Sequence, residues 1–167
     1  LREAITEKVA RAYRVSYDVE REITVTAGAT EAIFCAIAAS VRPGDEVIIF
    51  APVYDSYIPA ILLNGGTPVV ANLAAPDYRP DFDQLRQLLS PRTRMLIINS
   101  PHNPTGSVWS ADDMTELAAL LAGTEIVVVS DEVYEHMVFD GVAHVSVMHY
   151  PALRERSFVV SSFGKTF

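Results

Sequence analysis

Short apolar runs alternate with amphipathic segments along the whole chain. The apolar runs have the length and the β-branched content of strands, and the segments between them carry apolar residues at helical spacing. Strands are predicted over residues 23–27, 46–50, 67–73, 95–99, 125–130 and 157–160. Helices are predicted over residues 1–13, 30–41, 54–64, 81–89 and 110–123. Apolar strands separated by helices predict a three-layer α/β fold, in which helices cover both faces of a mainly parallel sheet.

The composition agrees with one globular domain of 167 residues, half of them hydrophobic. Thirteen basic residues against 21 acidic ones give a net charge of −8, which disfavours nucleic acids and anionic membranes as partners. No apolar run reaches the ~20 residues of a membrane helix. Cys35 is the single cysteine, which excludes an intramolecular disulfide and suits a reducing compartment, so the cytoplasm is the expected location.

Three common motifs are absent or incomplete. Residues 164–166 (Gly-Lys-Thr) look like the end of a phosphate-binding loop, but that motif needs a glycine where Val159 stands. No Gly-x-Gly-x-x-Gly follows a strand, which argues against a dinucleotide-binding fold. The four histidines show no zinc-ligand spacing, so no metal site is predicted.

Gly28, Ala29 and Thr30 lie where a predicted strand meets a predicted helix. Small residues there permit close backbone approach, and the free N–H groups at the start of a helix attract an anion such as a phosphate. An ordinary strand-to-helix turn has the same composition, so this motif alone leaves both interpretations open.

Asn103 lies between Pro101 and Pro104 in a turn-rich segment after a predicted strand. The prolines stiffen the backbone and thereby hold the side-chain amide in place. The Asn103–Pro104 bond is also a candidate for a cis peptide bond. The alternative is a loop without a function.

Asp131 and Tyr134 come at the end of an apolar predicted strand. A carboxylate is costly to desolvate unless it meets a cation, so Asp131 requires a positive partner, and a pyridinium nitrogen is one. Tyr134 could present its hydroxyl to the same ligand. A helix cap or an ordinary salt bridge would also account for Asp131.

Lys165 comes shortly after the last predicted strand, beside the hydroxyls of Ser161 and Ser162. A lysine forms an imine when its ammonium is desolvated and its pKa falls, although most lysines are surface residues. In order, these four features supply a phosphate-binding turn, an amide, a buried acid and a lysine. Those are the parts of a site for pyridoxal phosphate.

Five strings carry a resemblance to a known family. They are TAGATEA, APVYDSY, NSPHNPTGSVW, SDEVYEHMVF and SSFGKTF. The chain resembles the class I/II aminotransferases of fold type I, and within them the methionine aminotransferase and kynurenine–oxoglutarate transaminase group. The resemblance covers the chain without a gap and implies that residues 1–167 are an incomplete large domain that binds pyridoxal 5′-phosphate.

The resemblance also implies roles for single residues. Lys165 would form the internal aldimine with the cofactor and then serve as the base that moves the proton. Asp131 would pair with the pyridinium nitrogen, and Tyr134 and Asn103 would hydrogen-bond the phenolic oxygen of the ring. Tyr54 would stack on the ring. The residues implied at the phosphate are Ala29, Thr30 and Ser162, with Gly28 shaping the turn.

The implied reaction is transamination between a 2-oxo acid and a methionine-like, aromatic or glutamine/kynurenine-like L-amino acid, carried out by a homodimer. Compared with the family, the chain lacks the arginine that grips the substrate carboxylate, most of the small domain, and one strand of the sheet. That strand would lie between the first and last predicted strands. The chain is therefore expected to be a fragment that is poorly stable and inactive by itself.

Two other functions remain as alternatives. A carbon–sulfur β-lyase of the same fold would use the same lysine to eliminate a sulfur leaving group, although such lyases tend to carry histidine where Tyr134 stands. The other is a non-catalytic protein of this fold, such as a transcription regulator or a binding module. The complete set of Asp131, Asn103, Tyr134 and Lys165 argues against it.

Overall fold

The computed structural model describes residues 1–166 of the chain, so Phe167, the last residue of the predicted domain, lies outside the described residues. Five strands form one sheet in which every neighbouring pair is parallel. They are β1 (Glu46–Ala51), β2 (Thr67–Asn72), β3 (Thr93–Asn99), β4 (Val127–Asp131) and β5 (Ser157–Val160). Their order in space is β2-β1-β3-β4-β5. Because the strands are parallel, their carboxyl ends share one edge of the sheet.

Helices follow or precede each strand, as the alternating pattern predicts. They are α1 (Arg2–Tyr13), α2 (Ala29–Ser40), α3 (Tyr57–Leu63), α4 (Phe82–Leu88), α5 (Ala111–Leu120), α6 (Pro151–Arg154) and α7 (Phe163–Thr166), with a 3-10 turn at Val147–His149. Among the described residues no helix is both long enough and apolar enough to span a membrane.

The three layers are confirmed by the way successive side chains of a strand divide between two cores. In β1, Ile48 packs into the core formed with α4 and α5, and Ile49 packs into the core formed with α2 and α3. Both isoleucines are fully buried. Burial of one such side chain contributes about 1.5–3 kcal/mol, so the apolar residues on both faces of the central strands need a helical layer on each face.

The predicted start signals of two helices are present. Ser110 and Asp113 form a reciprocal capping box at the start of α5. The side chain of Asp81 accepts hydrogen bonds from the backbone N–H groups of Asp83 and Gln84 at the start of α4. Helix bounds shift by a few residues, since α5 ends at Leu120 rather than three residues later.

The prediction of a strand over residues 23–27 is wrong. Residues 23–26 have no regular structure, and no described strand lies beside them to accept their backbone hydrogen bonds. β-branched residues favour an extended chain, but a strand exists only when a neighbour completes the hydrogen-bond ladder. β5 is therefore the last strand of the described sheet on this side, and Phe158 on it is 43% exposed.

Candidate active site

The predicted site residues gather at the carboxyl edge of the sheet. Tyr54 follows β1, Asn103 follows β3, Asp131 ends β4, and Lys165 lies on α7 just after β5. β1 and β3 are neighbours in the sheet although β2 lies between them in the chain. The chain therefore changes direction across the sheet at this point, and such a switch point leaves a crevice where ligands of open α/β sheets bind.

Asp131 is buried at this edge, with only 4% of its surface exposed. The Tyr57 hydroxyl donates to Asp131 Oδ2 at 2.5 Å, and the Val133 backbone N–H donates to Oδ1 at 3.3 Å. Burial raises the pKa of Asp131, and these two hydrogen bonds oppose the rise. No salt bridge to Asp131 occurs within residues 1–166. The ordinary salt bridge that would have explained this acid is thus missing from the described part of the chain.

Lys165 and Tyr134 face each other across the same edge. The Lys165 ammonium lies 5.7 Å from the centroid of the Tyr134 ring, a cation–π distance. The charge of Lys165 also acts on Asp131, where it lowers the pKa. Lys165 is nevertheless exposed, so the described residues do not provide the desolvation that would activate its amine.

The start of α2 has the open geometry predicted for an anion site. Gly28 precedes the helix with φ 112°, a backbone conformation that favours glycine, and α2 has no side-chain cap. Ala29 and Thr30 form the first turn, and α2 packs against β4 and β5. Ser162, the other predicted phosphate ligand, is half-buried between β5 and α7. Phosphate binding by these residues stays a prediction.

The Asn103 loop is held by its own backbone and by the sheet. The Asn103–Pro104 peptide bond is cis, as the sequence suggests. The Asn103 backbone N–H donates to Asn99 Oδ1 at 2.7 Å, and the His102 N–H donates to the Ser107 carbonyl at 2.8 Å. These bonds fix the backbone of the loop directly beside Asp131.

Two residues of the site are absent from the sequence-based prediction. Tyr57 is 4% exposed, its ring centroid lies 5.5 Å from that of Tyr54, and its hydroxyl meets Asp131. Asn99 uses both ends of its amide, because its Nδ2 donates to the Asp131 carbonyl at 2.9 Å while its Oδ1 accepts from Asn103. Asn99 follows the apolar run of residues 95–98 in β3, and a polar residue after such a run is the same signal that marks Asp131.

Two further buried acids follow Asp131. Glu132 is 1% exposed and accepts hydrogen bonds from the Ser130 hydroxyl at 2.7 Å and from His144 Nε2 at 2.8 Å. Glu135 is 4% exposed and faces α1. Three acids within five residues after an apolar strand are the sequence signal for this cluster, but its partners come from distant parts of the chain.

Comparison with known proteins places this arrangement in a family. The whole chain, residues 1–167, matches the family model described as aminotransferase class I and II. The chain belongs to this family. The aminotransferase fold is likewise shown by solved structures, since a methionine aminotransferase of Escherichia coli superposes with a TM-score of 0.97 at 53% identity. That match covers 99% of this chain and 44% of the other.

Curated relatives agree with this assignment. The chain is 53% identical over 167 residues to a methionine aminotransferase of Escherichia coli, covering 100% of this chain and 43% of the relative. It is 33% identical over 174 residues to human kynurenine–oxoglutarate transaminase 3, covering 98% of this chain and 38% of the relative. This aminotransferase chain therefore spans less than half the length of the curated relatives it matches. The resemblance and the three-layer fold predicted from the sequence are both confirmed.

Proposed function

We propose that the whole protein is an aminotransferase that uses pyridoxal 5′-phosphate to move an amino group from an L-amino acid to a 2-oxo acid. The observation that carries the proposal is the meeting of Asp131 and Lys165 at one edge of the sheet. The first is a buried carboxylate without a salt bridge in the described chain, and the second is an amine whose charge acts on it. Pyridoxal phosphate, when bound, supplies an aldehyde that bonds reversibly to amines and a pyridine ring that takes up electrons.

The residues present fit this cofactor. Because burial raises the pKa of Asp131 and its partners are neutral, a protonated ring nitrogen is the kind of cation that would keep the carboxylate charged. On the phosphate side, the uncapped start of α2 leaves backbone N–H groups open to an anion. A Cβ placed on Gly28 would meet no atom within 4 Å, so there is free space beside this turn.

Each polar residue at the edge would then bind one part of the cofactor. Asp131 would hold the ring nitrogen with the lone pairs that Tyr57 and Val133 leave available. Asn103 and Tyr134 would hydrogen-bond the phenolic oxygen, and Tyr54 would stack on the ring. The proposed phosphate ligands are Gly28, Ala29, Thr30 and Ser162.

Lys165 would do the proton work of the reaction. Its Nζ would hold the cofactor through the cofactor's aldehyde group. As a free amine, Lys165 Nζ would accept a proton from the substrate α-carbon, which is general-base catalysis. The Tyr134 ring beside Nζ would hold the amine near the position where it must act.

The proposed donors are methionine-like, aromatic or glutamine/kynurenine-like amino acids, and the names of the relatives support this range. We propose further that residues 1–167 are part of the large, cofactor-binding domain and that the whole protein acts as a homodimer in the cytoplasm. The single cysteine, Cys35, is exposed and unpaired, which suits a reducing compartment.

The relatives named above are transaminases, which supports transamination over the β-lyase alternative. Product analysis separates the two reactions. A transaminase converts the amino acid only when a 2-oxo acid is supplied, whereas the lyase releases pyruvate and ammonia from a cysteine conjugate without one. A non-catalytic protein would do neither.

Covalent trapping tests the proposal directly. The whole protein is incubated with pyridoxal phosphate and reduced with borohydride, and the modified peptides are mapped by mass spectrometry. Lys8 and Lys165 are the two lysines of this chain, so Lys8 is an internal control. We expect a phosphopyridoxyl group on Lys165 and none on Lys8. A protein without this group on Lys165 would refute the proposed role of the lysine.

A further inference from the structure

Glu135 is a buried acid that the proposed reaction does not use. Its carboxylate accepts hydrogen bonds from Lys8 Nζ at 2.5 Å, from the Ser161 hydroxyl at 2.6 Å and from the Tyr13 hydroxyl. The exposed His136 also lies near this carboxylate, with its Nε2 3.9 Å from Glu135 Oε2. Three donors from two different parts of the chain therefore converge on one carboxylate.

These donors keep Glu135 ionised despite its burial. Burial by itself would raise the pKa of Glu135, but the hydrogen bonds from Lys8, Ser161 and Tyr13 outweigh it and lower the pKa. A buried carboxylate with such partners has a defined position, since each bond to the charged form is stronger than one between neutral groups.

Ser161 connects this cluster to the segment that carries Lys165. Ser161 follows Val160, the last residue of β5, and the carbonyl of Val160 accepts a hydrogen bond from the Glu132 N–H at 2.8 Å. The chain then enters α7, which carries Lys165. The Glu135–Ser161 bond is thus a side-chain anchor at the point where the chain leaves the sheet and enters the helix of the lysine.

We propose that Glu135 is a positioning residue, which holds Ser161 against α1 and so fixes the start of the segment that carries Lys165. The inference rests on the proposed function in one respect, because the position of Lys165 matters only if this lysine binds the cofactor. Lys8 and Tyr13 make α1 a part of this support, although α1 lies outside the two main cores.

The chain offers a matched control for this role. Glu46 is also a buried carboxylate, 8% exposed, and it also accepts from a serine and a cation, namely Ser90 at 2.5 Å and Arg92 Nε at 2.9 Å. It begins β1 and therefore lies at the amino edge of the sheet, away from Lys165. A buried acid that only stabilises the fold should behave like Glu46.

The test compares Glu135→Gln, Ser161→Ala and Glu46→Gln in the whole protein. Hydrogen exchange of the backbone amides of residues 161–165 is measured without cofactor, and the Kd for pyridoxal phosphate is measured separately. We expect about tenfold faster exchange and about tenfold weaker binding for Glu135→Gln and Ser161→Ala, since each loses a hydrogen bond to a charged group. Glu46→Gln should change neither value. Ser161→Thr keeps the hydroxyl and should therefore have the exchange rate and the Kd of the wild type.

Ser161→Ala decides the case if Glu135→Gln fails to fold, because it leaves the Lys8 and Tyr13 contacts in place. Exchange in residues 161–165 that is the same in Ser161→Ala as in the wild type would overturn the inference. A wild-type protein that does not bind pyridoxal phosphate would instead refute the proposed function. The exchange comparison would still decide whether Glu135 positions the segment.

Discussion

Two buried carboxylates at opposite edges of the sheet, Glu46 and Asp131, have different kinds of partner. At the amino edge, Glu46 has a serine and an arginine as partners, and the hydrogen bonds from Ser90 and Arg92 lower its pKa. At the carboxyl edge, Asp131 has a tyrosine and a backbone N–H, and burial raises its pKa. Both acids are buried, but among residues 1–166 a counter-charge in contact is found for Glu46 and not for Asp131.

The difference separates an acid that stabilises the fold from one that is kept for a ligand. A buried charge without an opposite charge in contact costs stability, so Asp131 does not stabilise the fold in the way that Glu46 does. Perturbed acids of this kind occur at functional sites because a ligand completes them. The comparison therefore supports the proposal that the carboxyl edge holds a cationic ring and the amino edge does not.

The strongest test of the comparison removes the amine that only the carboxyl edge has. Lys165→Arg keeps a positive charge but cannot bond reversibly to an aldehyde, so we expect transamination by the whole protein to fall by roughly 10³-fold or more. Stability should change by no more than about 0.5 kcal/mol, because Lys165 is exposed. Lys8→Arg is the comparison variant and should lose far less activity, because arginine can still donate a hydrogen bond to Glu135. Steady-state kinetics and urea unfolding give both values.

Removing the uncompensated acid should cost activity without costing stability. Asp131→Asn loses the charge proposed to hold the ring nitrogen, and we expect activity to fall by roughly 10²–10³-fold. Without cofactor, the raised pKa of Asp131 means that the folded state binds the proton more tightly than the unfolded state does. Wild-type stability should therefore fall as the pH rises from the ordinary carboxyl pKa through the raised one.

Asp131→Asn lacks this titration, so the cofactor-free variant should be at least as stable as the wild type at pH 7. The Tyr57 hydroxyl can still donate to the new amide oxygen. Urea midpoints at pH 4 and pH 7 check the sign. A clear loss of stability at pH 7 would mean that Asp131 stabilises the fold as Glu46 does, and the difference between the two acids would not hold.

Removal of the Tyr57 hydroxyl tests whether its hydrogen bond to Asp131 matters. Tyr57→Phe removes the donor to Oδ2 and leaves a buried carboxylate with the weaker contact from Val133. We expect a loss of about 1.5–3 kcal/mol in the free energy of unfolding at pH 7, and about tenfold lower activity. At a pH where Asp131 is protonated the stability loss should shrink. Equal losses at both pH values would mean that the hydroxyl does not act through the charge.

The smallest effect is expected at the amino edge. Glu46→Gln should lower stability at pH 7 by at most about 1 kcal/mol, because the Arg92 side chain is 69% exposed. Since the folded-state pKa of Glu46 is lowered, its contribution is complete above the ordinary carboxyl pKa and is lost as the pH falls through the folded-state value. The difference between variant and wild type should therefore vanish in acid. Activity should not change.

The sequence predicts most of the helices and strands and the position of single residues within them. The apolar strands, the caps at Asp81 and Ser110, and Asp131 at the end of a strand follow from patterns that extend over a few residues. Hydrophobic burial and helix capping act locally, so a short stretch of sequence carries the signal. The same holds for Asn103, whose stiff backbone follows from the prolines on either side.

Partners across the fold come only from the tertiary structure. Nothing near Asp131 in the sequence indicates that Tyr57 contacts it. The hydrogen-bond donors to Glu135, Lys8 and Ser161, likewise lie far from it in the chain. The strand predicted over residues 23–27 is wrong for the same reason, since a strand requires a neighbouring strand that its own sequence does not specify. Short-range propensity and burial pattern thus determine the layers and the reactive groups. The order of the strands, which is set by packing between distant segments, decides which of those groups meet.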